Sequence, residues 1–332
     1  MANEVTKQVF EKLIQKELYP DSEFYKKAIN GGDANALTYH IPQESAINRP
    51  TLGGVNGKDY LLTANNMTAA TALTAKYNVN TSKSYNSTII KFPEPIALET
   101  LQDAMLSYNK AQALAVNMAS KMNQAIADYF ATAWQPTVSD NIIALTGKDK
   151  AGSAKTRTSN VTGGYAGSVY SVGYQDLQAL ALAVDKQNIV GGQWYVLLTP
   201  EQWADISQID EIEQYQLRGL VNKFGATALG RWRKFVFLDS RQSDLWNANI
   251  LYDVTSGTVP VAYGGTVNTN CLSGLLAWND KQVVYRQSKM KVFQDLNNPI
   301  HMADLRNMGT RIAATQIRLD QKGVVAMYEA KA

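Results

Sequence analysis

Apolar residues recur every three or four positions over one long stretch with no Gly or Pro inside it, Leu98 to Trp134. The seam runs Leu98, Leu101, Met105 and Tyr108, then Ala115, Ala119, Met122, Ile126, Tyr129 and Ala133, and only Gln112 breaks it. The spacing predicts one helix over 98–134, ended by Gln135-Pro136. At 1.5 Å per residue it would run roughly 55 Å, much longer than the three or four turns usual in a globular domain. Such a beam suggests a part built for tiling.

The segments around it follow other periods. Residues 4–18 form a short amphipathic pattern, with Val5, Val9 and Leu13 beside Phe10 and Ile14, a cap at Asn3 and a stop at Pro20. Residues 37–93 are rich in Thr, Asn, Ser and Gly. Leu37, Tyr39 and Ile41 lead out, and Thr88 to Phe92 lead back. This reads as a two-stranded excursion without a core of its own, which needs a surface to lie on. Residues 147–173 read as a loop.

From Tyr174 the pattern becomes α/β. Tyr174, Leu177, Leu180, Ala181 and Val184 make a helix stripe, and Trp194–Leu198 a buried strand. Thr199-Pro200-Glu201-Gln202 starts a second helix, with Thr199 as cap, Pro200 at the first position and Gln202 closing a capping box. Strands are expected near 235–238, 250–254, 259–263, 275–278 and 283–285. Arg311–Leu319 and Gly323–Tyr328 read as a pair joined by a turn at 320–323.

Composition narrows the function classes. The chain has 332 residues, 45% apolar and 18% charged, which suits packed domains. A net charge of +3 is too small to argue tight binding to nucleic acid or membrane. The single Cys271 rules out an intrachain disulfide framework and, among Leu272, Leu275 and Leu276, reads as a core residue. There is no signal peptide pattern and no apolar run of membrane-spanning length.

Catalytic chemistry is thinly represented. His40 and His301 are far apart and lack neighbours of ligand type, so each reads as a satisfied or exposed histidine. Neither a dinucleotide fingerprint nor a P-loop occurs. Ser107-x-x-Lys110 followed by Ser139-Asp140-Asn141 matches two of three signatures of penicillin-recognising serine enzymes, but Lys-Thr-Gly is missing. Asp205, Asp210, Glu211 and Glu213 suggest either a metal or acid/base cluster or a solvated face, and the solvated face is expected. Arg231, Trp232, Arg233 and Lys234 suggest either a phosphate contact or a strand-edge or subunit contact. No catalytic, cofactor-binding or metal residue is assigned, and no enzyme is expected.

The order of parts resembles the major capsid proteins of tailed bacteriophages, the Hong Kong 97-type fold. The likeness rests on "KFPEPIALETLQDAMLSYNKAQALAVNMASKMNQAIADYFATAW", similar to a ribbon's return strand entering a spine helix. It rests also on "QWYVLLTPEQWADI", similar to the axial domain's central strand and following helix, and on the closing "GTRIAATQIRLDQKGVVAMYEAKA". The resemblance implies an α+β fold: an N-terminal arm (1–36), an extended β-ribbon loop (37–93), a peripheral domain (94–169) with its spine helix (98–134), an α/β axial domain (170–280) and a return to the peripheral domain (281–332).

It implies a shell protein that assembles as hexamers and pentamers into an icosahedral head around double-stranded DNA, located in the virion and assembled in the host cytoplasm. The implied partners are further copies of itself, a portal vertex, possible decoration proteins and weakly contacted DNA, with no membrane and no cofactor. Because the chain starts at Met1 close to the arm helix, a separate scaffolding protein is expected. Some relatives cross-link a ribbon lysine to a neighbour's asparagine. Lys58, Lys76 and Lys83, with Asn297-Asn298, are the matching residue types, and they are expected to be ordinary surface groups. The alternative on the same fold is an encapsulin-like compartment holding enzyme cargo.

Overall fold

The computed structural model describes residues 24–43, 81–99, 110–214, 228–239, 250–255, 257–298, 300–301 and 303–332. It divides into two compact units, one of residues 1–39 and 85–332 and one of residues 40–84. In the smaller unit, the described residues belong to the paired strands Thr38–Gln43 and Thr81–Asn86.

The larger unit holds two principal sheets. In the nine-stranded sheet, Trp194–Leu198 lies between Phe235–Asp239, parallel to it, and Cys271–Asn279, antiparallel. Strand side chains alternate between faces, and here both faces are covered. Tyr195, Leu197, Val236, Leu238, Leu276 and Trp278 enter one core. Trp194, Val196, Leu198, Phe235, Phe237, Leu275 and Ala277 enter the other. Two-sided burial explains the unbroken apolar runs.

Helices α1 (Lys110–Trp134), α2 (Tyr174–Lys186) and α3 (Pro200–Ser207) supply the cover. Leu177, Leu180, Ala181 and Val184 of α2 and Ile206 of α3 fill the second core. The expected cap of α3 is present: Gln202 N–H donates to Thr199 Oγ1 at 3.4 Å, and Thr199 N–H to Gln202 Oε1 at 3.1 Å.

The six-stranded sheet is centred on Ala303–Gln316. Val283–Gln287, Lys291–Asn298, Thr88–Lys91 and Ile96–Glu99 pair antiparallel with it. Helix α1 packs on one face through Met118, Met122, Ile126 and Phe130, against Ile90, Val292, Met308 and Ile312. At its C-terminal end Trp134 is fully buried against Phe24, Phe130 and Trp278, with ring centroids 5.6–6.4 Å apart. Trp278 belongs to the other sheet, so this aromatic cluster joins the two. The last carbonyls of a helix have no partner within it. Here Gln316 Nε2 donates to Trp134 O at 2.7 Å and to Gln135 O at 3.0 Å.

The structure corrects four expectations. Residues 147–173, read as a loop, hold the paired strands Thr156–Thr158 and Ser168–Tyr170. The helix does not begin at Leu98: Ile96–Glu99 is a strand paired with Ala303–Arg306, and the described helix is Lys110–Trp134, 25 residues or about 37 Å. Pro93 and Pro95 favour extended backbone around them, and the neighbouring strand supplies the hydrogen-bond partners. Leu101, Met105 and Tyr108 lie outside the described residues, as do the arm pattern over 4–18 and the side chain of Gln112.

The buried seam also drifts. Ala119, Met122 and Ile126 are buried, but Tyr129 and Ala133 are only half-buried, while Phe130 and Trp134 are fully buried. A three-four repeat averages 3.5 residues and a straight helix has 3.6 per turn, so the contact line slips along the sequence.

Finally, Val324–Tyr328 does not pair with Ala303–Gln316. It joins the nine-stranded sheet, antiparallel to Gly274–Trp278 and parallel to Ile142–Ala144. The turn between them carries positive φ at Gln321 (56°) and Gly323 (100°) and turns the chain from one sheet to the other. Residues 281–332 thus divide between two sheets.

Candidate assembly surface

Among the described residues nothing covers the second face of the six-stranded sheet. Alternation sends Ile90, Val292, Met308 and Ile312 toward α1 and turns Ile89, Lys91, Lys291, Phe293, Gly309 and Arg311 outward. A groove of about 710 Å³ lies on this side. Phe293 is 62% exposed and Ile89 57%. Lys91, Lys289, Lys291 and Arg311 also line the groove, with Asp33 the single carboxylate among its lining residues. Gly309 keeps its floor flat, since a Cβ there would meet Ile90 O and Lys91 Cβ at 3.2 Å. Large exposed apolar side chains rimmed by charge mark an interaction surface.

Nearby is the root of the paired strands. Tyr39 and Tyr85 pack with centroids 5.4 Å apart, Arg286 lies 4.4 Å over the Tyr39 ring, and its Nε donates to Tyr85 Oη at 2.9 Å. A planar guanidinium can stack on one ring and bond the next in this way. Thr38 Oγ1 and Asn86 Oδ1, 3.0 Å apart, close the same root.

The candidate chemical residues do not converge. His40 and His301 are exposed on separate elements, and His301 N–H donates to Asn298 Oδ1 at 3.2 Å. Ser107 lies outside the described residues. Ser139–Asn141 forms a short 3-10 turn, in which Asn141 accepts from Gln187 Nε2 at 2.8 Å and donates to Gln321 O at 3.1 Å.

Of the acidic cluster, Asp205, Asp210 and Glu211 line one groove of about 240 Å³. Glu211 pairs with Lys150 at 3.0 Å, which holds its carboxyl below the ordinary value. Asp205 faces Arg157, and Glu213 sits in a strand opposite Arg231. Among the described residues no group of three His, Cys, Asp or Glu is placed to hold a metal ion, and no helix is long and apolar enough to cross a membrane.

The basic run forms the turn between Ala228–Trp232 and Phe235–Asp239. Arg233, at φ 50°, stacks 4.5 Å over Trp232, Arg231 Nε donates to Arg233 O at 3.0 Å, and Lys234 pairs with Asp185. Cys271 is buried. Asn298 is committed to a local turn, donating to Asp295 Oδ2 at 2.6 Å. Lys58 and Lys76 lie outside the described residues.

Sequence reasoning passed over Arg286 and Asp176. Asp176 is buried and accepts from the N–H groups of Thr146, Gly147 and Gly173 at 2.9–3.0 Å and from Thr146 Oγ1 at 2.7 Å. Its position three residues after Gly173, in the first turn of α2, was the available signal.

No family model matches the sequence, and no curated protein does. Solved structures do match. The chain is similar to "Capsid of Ralstonia phage GP4" at 6% identity and a TM-score of 0.57, covering 94% of this chain and 92% of that one. It is similar to "Cyanophage Pam1 capsid asymmetric unit" at 10% identity and 0.53, covering 91% and 88%. A third, "Mycobacterium phage Che8", matches at 13% and 0.51, covering 92% and 91%. The identities are low and the coverage nearly complete, so the likeness is one of fold: this chain has the α+β fold of phage capsid proteins, the Hong Kong 97 type.

Proposed function

We propose that this chain is the major capsid protein of a tailed bacteriophage. It assembles as hexamers and pentamers into an icosahedral shell around double-stranded DNA. Its role is structural rather than catalytic. The observation that carries this reading is a fold shared with phage capsid subunits over more than nine-tenths of the chain. The open sheet face supports it. A flat apolar surface rimmed by cations, on a subunit otherwise well packed, suits a contact that a neighbouring copy completes.

In this proposal residues 1–36 are the arm, 37–93 the ribbon, 94–169 the peripheral unit, 170–280 the axial unit and 281–332 the returning chain, whose last strand joins the axial sheet. A portal vertex, a separate scaffolding protein and decoration proteins are the further partners. The shell forms in the host cytoplasm and becomes the virion's. Packaged DNA meets it through weak, salt-sensitive contacts.

Electron microscopy of particles purified from producing cells tests the reading. The expected result is a closed shell with this chain at every lattice position and DNA inside. A chain that stays monomeric at all concentrations with its scaffold present would overturn it. A shell filled with a cargo enzyme and without DNA would make it a cellular compartment instead.

A further inference from the structure

A buried charge cluster near the chain's end has no part in assembly as proposed above. Glu329 follows the strand Val324–Tyr328 and is fully buried. Its N–H donates to Ser273 O at 2.8 Å, which fixes its place beside the sheet. Its Oε1 accepts from Arg157 Nη2 and, at 2.8 Å, from Gln202 Nε2. Its Oε2 is buried and takes no hydrogen bond.

Three elements meet there. Arg157 comes from Thr156–Thr158, the first strand of a hairpin whose second strand is Ser168–Tyr170. Glu201, Gln202 and Asp205 come from α3. Asp205 Oδ2 lies 3.4 Å from Arg157 Nε and accepts the Val172 N–H at 3.2 Å. Glu201 adds a buried oxygen, Oε2, also without a hydrogen bond. The strand Cys271–Asn279 brings the Ser273 carbonyl and no charged side chain. Lys331, two residues on, turns its ammonium to Asn270 Oδ1 at 3.0 Å and to the Tyr165 ring at 4.7 Å.

Among the described residues the arrangement is short of positive charge: Glu329 feels two further carboxylates, Asp205 and Glu201, against the one guanidinium of Arg157. An uncompensated buried charge is costly, and a carboxyl group in that position keeps its proton instead. Glu329 Oε2 is the natural place for that proton, because no donor among the described residues bonds it.

We propose that this cluster is a proton-operated clamp. With a proton on Glu329 Oε2, the hairpin, α3 and the last strand are held together. Losing it leaves a buried carboxylate whose lost hydration outweighs the pull of Arg157, and the contact of the hairpin with α3 and the last strand loosens to let water reach it. The bond that breaks is O–H, and the proton goes to water. A groove of about 240 Å³ lined by Lys155, Ser171 and Asp205 lies next to the cluster and gives water a route.

The electrostatics agree with the geometry. Burial pushes the Glu329 carboxyl up to about 7, Arg157 and Gln202 pull it down, and Asp205 and Glu201 push it up. Burial raises Asp205 as well. A carboxyl with a folded value above its unfolded one binds its proton more tightly in the fold. Its stabilisation is therefore complete at low pH, is lost as pH rises from about 4.5 to about 7, and is level above that.

Two measurements on the full chain test the clamp. Carbon-13 carboxyl NMR should give Glu329 a midpoint near 7. Hydrogen exchange of the hairpin amides, corrected for the intrinsic rate at each pH, should show protection falling between about pH 4.5 and 7 and level above that. One proton limits the fall to about tenfold per pH unit. Glu329→Gln should remove this dependence. A wild-type midpoint below 5.5, or the same pH slope in the variant, would overturn the proposal. Should Glu329→Gln fail to fold, Asp205→Asn serves: it removes a negative neighbour and frees Arg157, so the Glu329 midpoint should fall, and an unchanged midpoint overturns the clamp.

Discussion

The two principal sheets are built and finished differently, with continuous apolar strands such as Trp194–Leu198 in one and mixed polar and apolar strands such as Lys291–Asn298 in the other. The nine-stranded sheet is covered on both faces, and Trp194–Leu198 is buried at all five positions. Among the described residues the six-stranded sheet has α1 on one face and an open groove on the other. Ala303–Gln316 records the change within a single strand. From Arg306 to Ile312 its residues alternate between buried and half-buried, and from Ile312 to Gln316 all are buried. Alternation thus marks where the described residues stop covering the sheet. The sheet covered on both faces accounts for folding, and the one with a face left bare by the described residues is where the proposed association would act.

Four substitutions try this contrast, the strongest first. Ala119→Pro removes a helix hydrogen bond inside α1, at a residue that is itself fully buried, and should cost ~3 kcal/mol or more. Circular dichroism should show no cooperative transition, and a normally melting variant would refute the packing described. Trp134→Ala should cost about 3–5 kcal/mol. Because Trp134 touches Trp278 across the sheets, hydrogen exchange should accelerate in both, whereas a loss confined to the six-stranded sheet would mean that they fold independently.

Phe293→Asp changes a residue 62% exposed on the open face, so the subunit's melting curve should move by about 0.5 kcal/mol or less. Sedimentation should nevertheless show that assembly is lost. Normal shells would mean that the groove is not a contact. The smallest effect is expected at Asp320, whose carboxyl Arg318 draws down to about 2 through hydrogen bonds of 2.7 and 2.8 Å. A lowered folded value means stabilisation present above about pH 4 and lost as pH falls toward 2. The pair is partly exposed, so Asp320→Asn should lower stability by under about 1 kcal/mol at pH 7 and leave it unchanged near pH 2.

What the sequence made legible follows the same division. Continuous apolar runs revealed the strands of the covered sheet, and Thr199-Pro200-Glu201-Gln202 marked the start of α3, because burial and capping are local demands. The start of the long helix was hidden because Ile96–Glu99 has a helical spacing but takes its hydrogen bonds from a strand two hundred residues later. The final strand was mispaired because proximity in sequence favoured Ala303–Gln316, while the turn at Gln321–Gly323 delivers it to another sheet. Of the candidate surface, Arg286, Phe293 and the lysines around them gave no signal, since an exposed residue reads the same whether it meets water or another chain. Arg157 and Glu329 gave no signal either, since a lone charge in the sequence does not show the burial that brings it beside another.

The placement of Val324–Tyr328 has a consequence for biosynthesis. This strand lies between Cys271–Asn279 and Ile142–Ala144, so the ladder there cannot close until residues 324–328 have left the ribosome, after both of its neighbours. Until then each neighbour waits with the edge that this strand will fill unpaired. The order in which the polypeptide is made thus sets the order in which this sheet can fold.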